Sequence, residues 1–158
     1  MKLVYTFTST LLLGLLGIHG AEPEPINASK VEKREDGLFY QKDKKTPFSG
    51  STIIYYKNGA KKEVKIYKSG KRHGAHKGWY ENGKEEFITS WGTGVQQGRS
   101  IKFSSDGNKI SEYFFDSGNF DASKSIILMK TLIKLNEEKL GRDHIDVARA
   151  YNSLGEIL

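Results

Sequence analysis

The chain has 158 residues, of which 28% are charged and 37% hydrophobic, and it carries a formal net charge of +6. This length allows one domain or two small ones. The sequence contains no cysteine, which excludes disulfide bonds, thiolate zinc sites and cysteine nucleophiles. The positive charge is compatible with an anionic partner, although the simpler interpretation is that it keeps an exposed β-sheet soluble.

Residues 1–20 are typical of a bacterial secretory signal peptide. A positive head is followed by an apolar run over residues 11–18, which is too short to span a bilayer, and by the small pair Gly20-Ala21. Cleavage beside this pair predicts export to the periplasm or beyond, and an uncleaved membrane anchor is the alternative. Residues 21–36 contain two of the three prolines and few aliphatic side chains, so they predict a linker.

The next part of the chain, residues 37–120, repeats with a period of 24 residues. Such a repeat indicates units that bury their apolar faces against their neighbours, and therefore a protein that acts through a surface. Two aromatic series and three glycine series keep the period: Tyr55, Trp79, Phe103; Tyr67, Trp91, Phe115; Gly50, Gly74, Gly98; Gly59, Gly83, Gly107; and Gly70, Gly94, Gly118.

Each unit predicts a strand, a tight turn, a second strand and a looser turn. Three units give at least six antiparallel strands in a meander, with residues 38–40 as a further edge strand. The aromatic series are expected to stack between units as cross-strand ladders. The tight turns fall at dipeptides that favour hairpins because both residues tolerate positive φ: Asn58-Gly59, Asn82-Gly83 and Asp106-Gly107.

The C-terminal part predicts a pair of helices. Apolar residues recur at helical spacing over residues 125–140 and again over residues 145–158. Asp121 or Ser123 is expected to cap the first helix, and Gly141 lies where a helix-ending glycine belongs.

Between the two helices, Asp143 is a candidate cap for the second helix, and His144 is expected to make a hydrogen bond at the helix start. The predicted fold is α+β, an antiparallel β-meander of 24-residue hairpin repeats followed by a C-terminal αα-hairpin. The predicted order along the chain is signal peptide 1–20, linker 21–36, hairpin repeats 37–120 and helical hairpin 121–158.

Groupings that could support chemistry are weak. His73 and His76 would need a third ligand to bind a metal, and two exposed polar side chains are the simpler interpretation. The glycine-rich stretch 92–98 is not followed by Gly-Lys-Ser/Thr, which argues against a nucleotide site. We therefore expect no enzyme activity, no cofactor, no metal and no small-molecule substrate.

The best candidate for a contact surface is a group of basic and aromatic residues around the first unit. Aromatic rings beside cations can receive phosphates, sugars or an acidic protein patch, and a solvated charged edge that discourages aggregation is the alternative interpretation. The candidate residues are Tyr55, Tyr56, Lys61, Lys62, Lys65, Tyr67, Lys68, Lys71, Arg72, Trp79 and Tyr80.

The repeat resembles a known family. Its segments Tyr-Tyr-Lys-Asn-Gly-Ala-Lys-Lys (residues 55–62) and Trp-Tyr-Glu-Asn-Gly-Lys (residues 79–84) are similar to the bacterial variant of the MORN repeat. The resemblance covers residues 37–120, and the third unit departs from it at residues 103–105, where the second aromatic is replaced by serine. Proteins of this family are often catalogued as antitoxin components, and the MORN name also implies binding at membrane surfaces.

The C-terminal part resembles a second family. Residues 135–144 with 146–148 are similar to the junction between kinesin-light-chain-type tetratricopeptide repeats, and residues 152–155 match the middle of such a repeat's first helix. Ile145 departs from the pattern, since that family usually has proline there. The resemblance implies a partial repeat, which either packs on the sheet or is a truncated form of a longer array.

These features predict an exported, non-enzymatic repeat protein that binds another protein. One alternative is a protein that binds anionic membrane surfaces through its lysines and tyrosines. A second alternative is an antitoxin that neutralises a toxin by direct binding. Nucleic acid is not expected as a partner, because an exported protein rarely meets it.

Overall fold

The computed structural model describes residues 24–158, and the predicted signal peptide lies outside the described residues. These residues form eleven strands, one short 3-10 turn at Ala28–Lys30 and two helices. The strands are β1 (Ile26–Asn27), β2 (Val31–Lys33), β3 (Phe39–Gln41), β4 (Gly50–Tyr55), β5 (Lys61–Lys68), β6 (Lys71–Arg72), β7 (Gly74–Trp79), β8 (Glu85–Gly92), β9 (Val95–Phe103), β10 (Lys109–Asp116) and β11 (Asn119–Phe120), and the helices are α1 (Ala122–Leu140) and α2 (Ile145–Gly155).

One large sheet dominates the described part of the chain. Its nine strands follow the order β1-β4-β5-β7-β8-β9-β10-β11, with β6 paired to β5, and every pairing is antiparallel except that of β1 with β4. The strands β2 and β3 form a separate antiparallel pair. The predicted α+β class, with a mostly antiparallel sheet and C-terminal helices, is confirmed.

The N-terminal segment departs from the predicted linker. Residues 26–27 pair with β4, and residues 31–33 pair with β3. Residues 38–40 also do not extend the large sheet as predicted, because β3 pairs with β2 instead. Strands of two or three residues are too short to show an alternating pattern in the sequence, which is why composition alone predicted a linker here.

Turns form at the predicted dipeptides, but the two-residue type I′ turns lie at the other ends of the hairpins. Ser69 and Gly70 both have positive φ (50° and 74°), as a two-residue type I′ turn requires, and the same holds for Thr93-Gly94 and Ser117-Gly118. At Asn58-Gly59 only the glycine has positive φ, and Gly59 N donates to the carbonyl oxygen of Tyr56 (3.0 Å). That geometry is a type I turn followed by a glycine bulge, which Asn-Gly fits as well as it fits a type I′ turn.

The predicted aromatic ladders are not formed among the described residues. Members of a series such as Tyr55 and Trp79 lie two strands apart in the sheet, on β4 and β7. Two strand spacings are about 10 Å, whereas paired rings lie about 4.5 to 7 Å apart. The ring pairs that do form involve other partners, such as Phe39 with Tyr67.

The helices begin and end close to the predicted positions. Asp121 caps α1, since its side chain accepts a hydrogen bond from Lys124 N (2.9 Å), and α1 ends at Gly141 with φ of 87°. His144 caps α2 by accepting from Asp146 N (3.1 Å), which confirms the predicted helix-start hydrogen bond. Asp143, the other candidate cap, was therefore the wrong choice.

Helix α1 lies along the free edge of β10 and satisfies its backbone groups. Ser125 Oγ accepts a hydrogen bond from Phe114 N (2.9 Å), and Met129 Sδ accepts one from Glu112 N (3.1 Å). Further along the helix, Asn136 Nδ2 donates to the carbonyl oxygen of Lys109 (2.7 Å). Exposed strand edges invite pairing with other chains, so this helix closes one end of the sheet.

The main hydrophobic core lies where the two helices meet β10. Both helices contribute fully or nearly fully buried side chains to it. Within residues 24–158, no helix is both long enough and apolar enough to cross a membrane. The core residues are Met129, Leu132, Ile133, Ala150 and Leu154.

Candidate functional site

Two tyrosines of the candidate surface make equivalent hydrogen bonds inside the sheet. Tyr56 Oη donates to the carbonyl oxygen of Trp79 (2.7 Å), and Tyr80 Oη donates to that of Phe103 (2.8 Å). Each bond links positions 23 residues apart. Burial raises the pKa of both phenols, so the hydroxyls stay protonated donors at neutral pH. These tyrosines are engaged in holding strands together.

At the third equivalent position the chain has Ser104, and the partner changes. Ser104 Oγ donates to Asp146 Oδ2 (2.8 Å), and Asn108 Nδ2 donates to the same oxygen (2.9 Å). Arg149 Nη1 binds the other carboxylate oxygen at 2.8 Å. The Asp146 side chain is completely buried. The first turn of α2 therefore docks where the earlier units place the next hairpin.

The electrostatics of this junction favour the charged form of Asp146. Burial alone would raise the pKa of its carboxyl group, but the hydrogen bonds from Asn108, Ser104 and Arg149 outweigh burial and lower the pKa below its usual value. The loss of the second aromatic at residue 104, which is visible in the sequence, is thus the feature that admits the helix.

The basic residues of the candidate surface do not form one patch. Lys61 and Lys62 begin β5 and Lys68 ends it, which places the two ends roughly 24 Å apart at about 3.4 Å per residue. Lys65 lies between them and binds Glu63 (2.8 Å). The sequence places these lysines close together because it does not show that one extended strand separates them.

Other members of the candidate surface also have separate environments. Tyr67 is only 6% exposed, because its ring packs against Phe39 and Phe48 with centroids 4.9 and 5.6 Å away. Tyr55 is exposed. Tyr67 is therefore a core residue that offers little surface to a partner.

The remaining basic residues, Lys71 and Arg72, lie together on β6 beside the Ser69-Gly70 turn. Lys71 is exposed, whereas Arg72 is half-buried and places its guanidinium over the ring of Trp91, 4.7 Å from the centroid. This pair lines a cleft together with Trp91.

His76 is not the exposed polar residue that the sequence predicts. Its Nε2 lies 2.6 Å from Glu63 Oε1, its side chain is 13% exposed, and its ring meets Phe87 edge-on at 5.0 Å. Burial lowers the pKa of His76, and the hydrogen bonds from Lys65 and His76 outweigh burial to lower that of Glu63. His73 is exposed. Among residues 24–158, no group of three His, Asp or Glu side chains could hold a metal ion.

The two faces of the sheet differ in chemistry. The register aligns Ile53, Val64, Ile88 and Ile101 in one row across the strands, with Lys77 between Val64 and Ile88 and with Glu112 at the β10 end of the row. The row on the opposite face contains polar side chains instead: Thr52, Lys65, His76, Thr89 and Ser100. We call the first row the apolar row and the second the polar row. Alternation within each strand predicts two faces, but only the register shows that the isoleucines align.

No family model, curated protein or solved structure matches this chain.

Proposed function

We propose that this is an exported, non-enzymatic protein that binds another protein through the face of its sheet. The observation that carries the proposal is the apolar row, whose Val64, Ile88 and Ile101 are only half-buried. Several partly exposed apolar side chains on one face of a sheet are typical of an interaction site.

The position of the helices supports this proposal. Both helices pack against β10 at one end of the sheet. The core that they form around Met129 is buried, while the side chains of the apolar row on β5, β8 and β9 keep part of their surface in water. Burying such side chains on association stabilises a complex by about 25 cal/mol per Å² of apolar area before the costs of binding.

We also propose that the sheet consists of 24-residue hairpin units related to the MORN repeat. The equivalent bonds of Tyr56 and Tyr80, and the three type I′ turns 24 residues apart, support one repeated structural unit.

We propose further that α1 and α2 form a tetratricopeptide-like helical hairpin. The helices expose several large apolar side chains that would serve as a second docking surface: Ile127, Leu135, Ile145 and Tyr151.

A matched pair of variants tests the sheet face. Ile101 and Ser100 are neighbours on β9 that belong to the apolar row and the polar row. We expect Ile101→Lys to abolish saturable retention of a partner from a periplasmic extract, whereas Ser100→Lys, which adds the same charge to the opposite face, retains it. Thermal unfolding of both variants checks that each is folded. Equal retention by the two variants, or no saturable partner for the wild-type protein, would contradict the proposal.

The membrane alternative rests on the lysines and tyrosines of the candidate surface. Co-sedimentation with vesicles of increasing anionic lipid content tests it, and binding should weaken as salt is added because exposed cations are screened.

The antitoxin alternative is tested by co-expression with a neighbouring toxin gene. If the protein is an antitoxin, its co-expression should rescue the growth of cells that produce the toxin. The separation of the basic residues along β5 favours the protein-binding proposal over the membrane alternative.

A further inference from the structure

A cleft lies between the pair β2–β3 and the turns that follow β5 and β8. Its volume is about 260 Å³. Hydrogen bonds hold its walls in place, since Phe39 N donates to the carbonyl oxygen of Gly70 (2.8 Å) and Gly94 N donates to that of Arg72 (2.9 Å). The lining residues are Lys33, Gly37, Phe39, Gly70, Lys71, Arg72, Trp91 and Gly94.

Three cations and no carboxylate line this cleft: Lys33, Lys71 and Arg72. Three acidic residues lie near Lys33 in the sequence, none of them lines the cleft, and two of them are engaged elsewhere. Glu32 binds Arg34 (2.9 Å), and Asp36 accepts hydrogen bonds from Leu38 N (3.0 Å) and Tyr40 Oη (2.6 Å). The positive charge of the cleft is therefore not offset by its own walls.

The indole of Trp91 supplies a second, independent observation. Its Nε1 is buried and has no hydrogen-bond partner among the described residues. A buried donor without an acceptor is destabilising, and in native proteins such a group is commonly explained by a bound ion, a water molecule or a functional role. Arg72 lies over the face of the same ring.

We infer that this cleft binds a phosphate-type oxyanion, as a free ion or as a small phosphate ester. A dianion offsets the three cations better than a single carboxylate does, and the guanidinium fork of Arg72 matches the geometry of phosphate oxygens. Trp91 lines the same cleft, and its N–H lacks an acceptor among the described residues. This site is distinct from the apolar row and does not depend on the proposed protein-binding function.

Tryptophan fluorescence tests this inference. The chain has two tryptophans, so Trp79→Phe leaves Trp91 as the sole indole. We expect the emission of Trp91 to change saturably as inorganic phosphate is added at constant ionic strength, and acetate to produce no saturable change. Glycerol phosphate shows whether the cleft takes an ester. If it binds as tightly as inorganic phosphate or more tightly, the ligand is a phosphate ester; if it binds more weakly, the ligand is the free ion. The absence of a saturable response to both phosphates would overturn the inference, as would an equal response to acetate.

Matched charge variants locate the response. We expect Lys33→Gln and Arg72→Gln, made in the Trp79→Phe background, each to weaken phosphate binding roughly tenfold, as the loss of one charge-assisted hydrogen bond does. Lys61→Gln, at the far end of β5, removes the same charge outside the cleft and should leave binding unchanged. Equal weakening by Lys61→Gln would show a non-specific charge effect and overturn the site. Lys33 is exposed, so its variant remains informative if Arg72→Gln does not fold.

Discussion

The last long strand of the sheet and its middle strands are supported in different ways. β10 pairs with β9 and, at its end, with the short β11, and two helices pack against it. The side chains of Met129, Val147 and Ala150 at that end are completely buried. The strands β5 to β9 make their main contacts with neighbouring strands, and most of their side chains are half-buried. The difference suggests that the helical end supplies most of the stability, while the middle keeps its surfaces available.

The largest expected effect compares one apolar residue from each region. Met129→Ala should lower the free energy of unfolding by about 2–5 kcal/mol, because it opens a cavity in a fully buried site. Ile88→Ala, on half-buried β8, should cost roughly 1–2 kcal/mol, since its side chain is already partly hydrated. Urea unfolding followed by circular dichroism measures both. Equal losses would show that stability is spread evenly along the sheet.

The next effect concerns the junction between the regions. The lowered pKa of Asp146 means that its contribution to stability is present above its unfolded pKa of about 4 and is lost as the pH falls through the folded pKa. Asp146→Asn should therefore lower the free energy of unfolding by about 2 kcal/mol at pH 7, and the difference from wild type should shrink below about pH 4. The exposed Asp143→Asn serves as control and should change nothing. A difference that is independent of pH would argue against a charged Asp146.

The smallest effect tests whether the equivalent bonds in the middle of the sheet are alike. Tyr56→Phe and Tyr80→Phe each remove only a hydroxyl that donates to a backbone carbonyl. Each should cost about 1 kcal/mol, and the double variant should cost the sum, because the two bonds share no partner. If urea unfolding shows that the loss of stability in the double variant differs strongly from the sum of the two single losses, neighbouring hairpins are coupled more tightly than these contacts imply.

The elements with strong local signals could be predicted from the sequence. Helix α1, its Asp121 cap and its terminal Gly141 follow from helical spacing and capping chemistry alone. The sequence predicts the position of the turn at Asn58-Gly59 correctly. It predicts the wrong turn type there, because the same dipeptide fits two hairpin geometries. The strand β1 has only two residues and a parallel partner far along the chain, so no local pattern could predict it.

The candidate site was less predictable because it depends on distances across strands. Lys61 and Lys68 look like one cluster in the sequence but begin and end the same strand. The burial of Tyr67 depends on Phe39 and Phe48, which come from a segment outside the first unit. Trp91 was identified as a member of a repeated series, yet its unpaired N–H appears only once the cleft around it is formed.

The tyrosine bonds have a consequence for how such a chain could grow. Tyr80 reaches the carbonyl of Phe103, and Ser104 then begins the segment that receives α2. A duplicate of residues 80–103 inserted after Phe103 would bring its own tyrosine and its own acceptor carbonyl, and it would leave Ser104 and Asp146 as partners. Gene duplication could therefore lengthen the molecule one segment at a time, with the helical terminus carried outward unaltered.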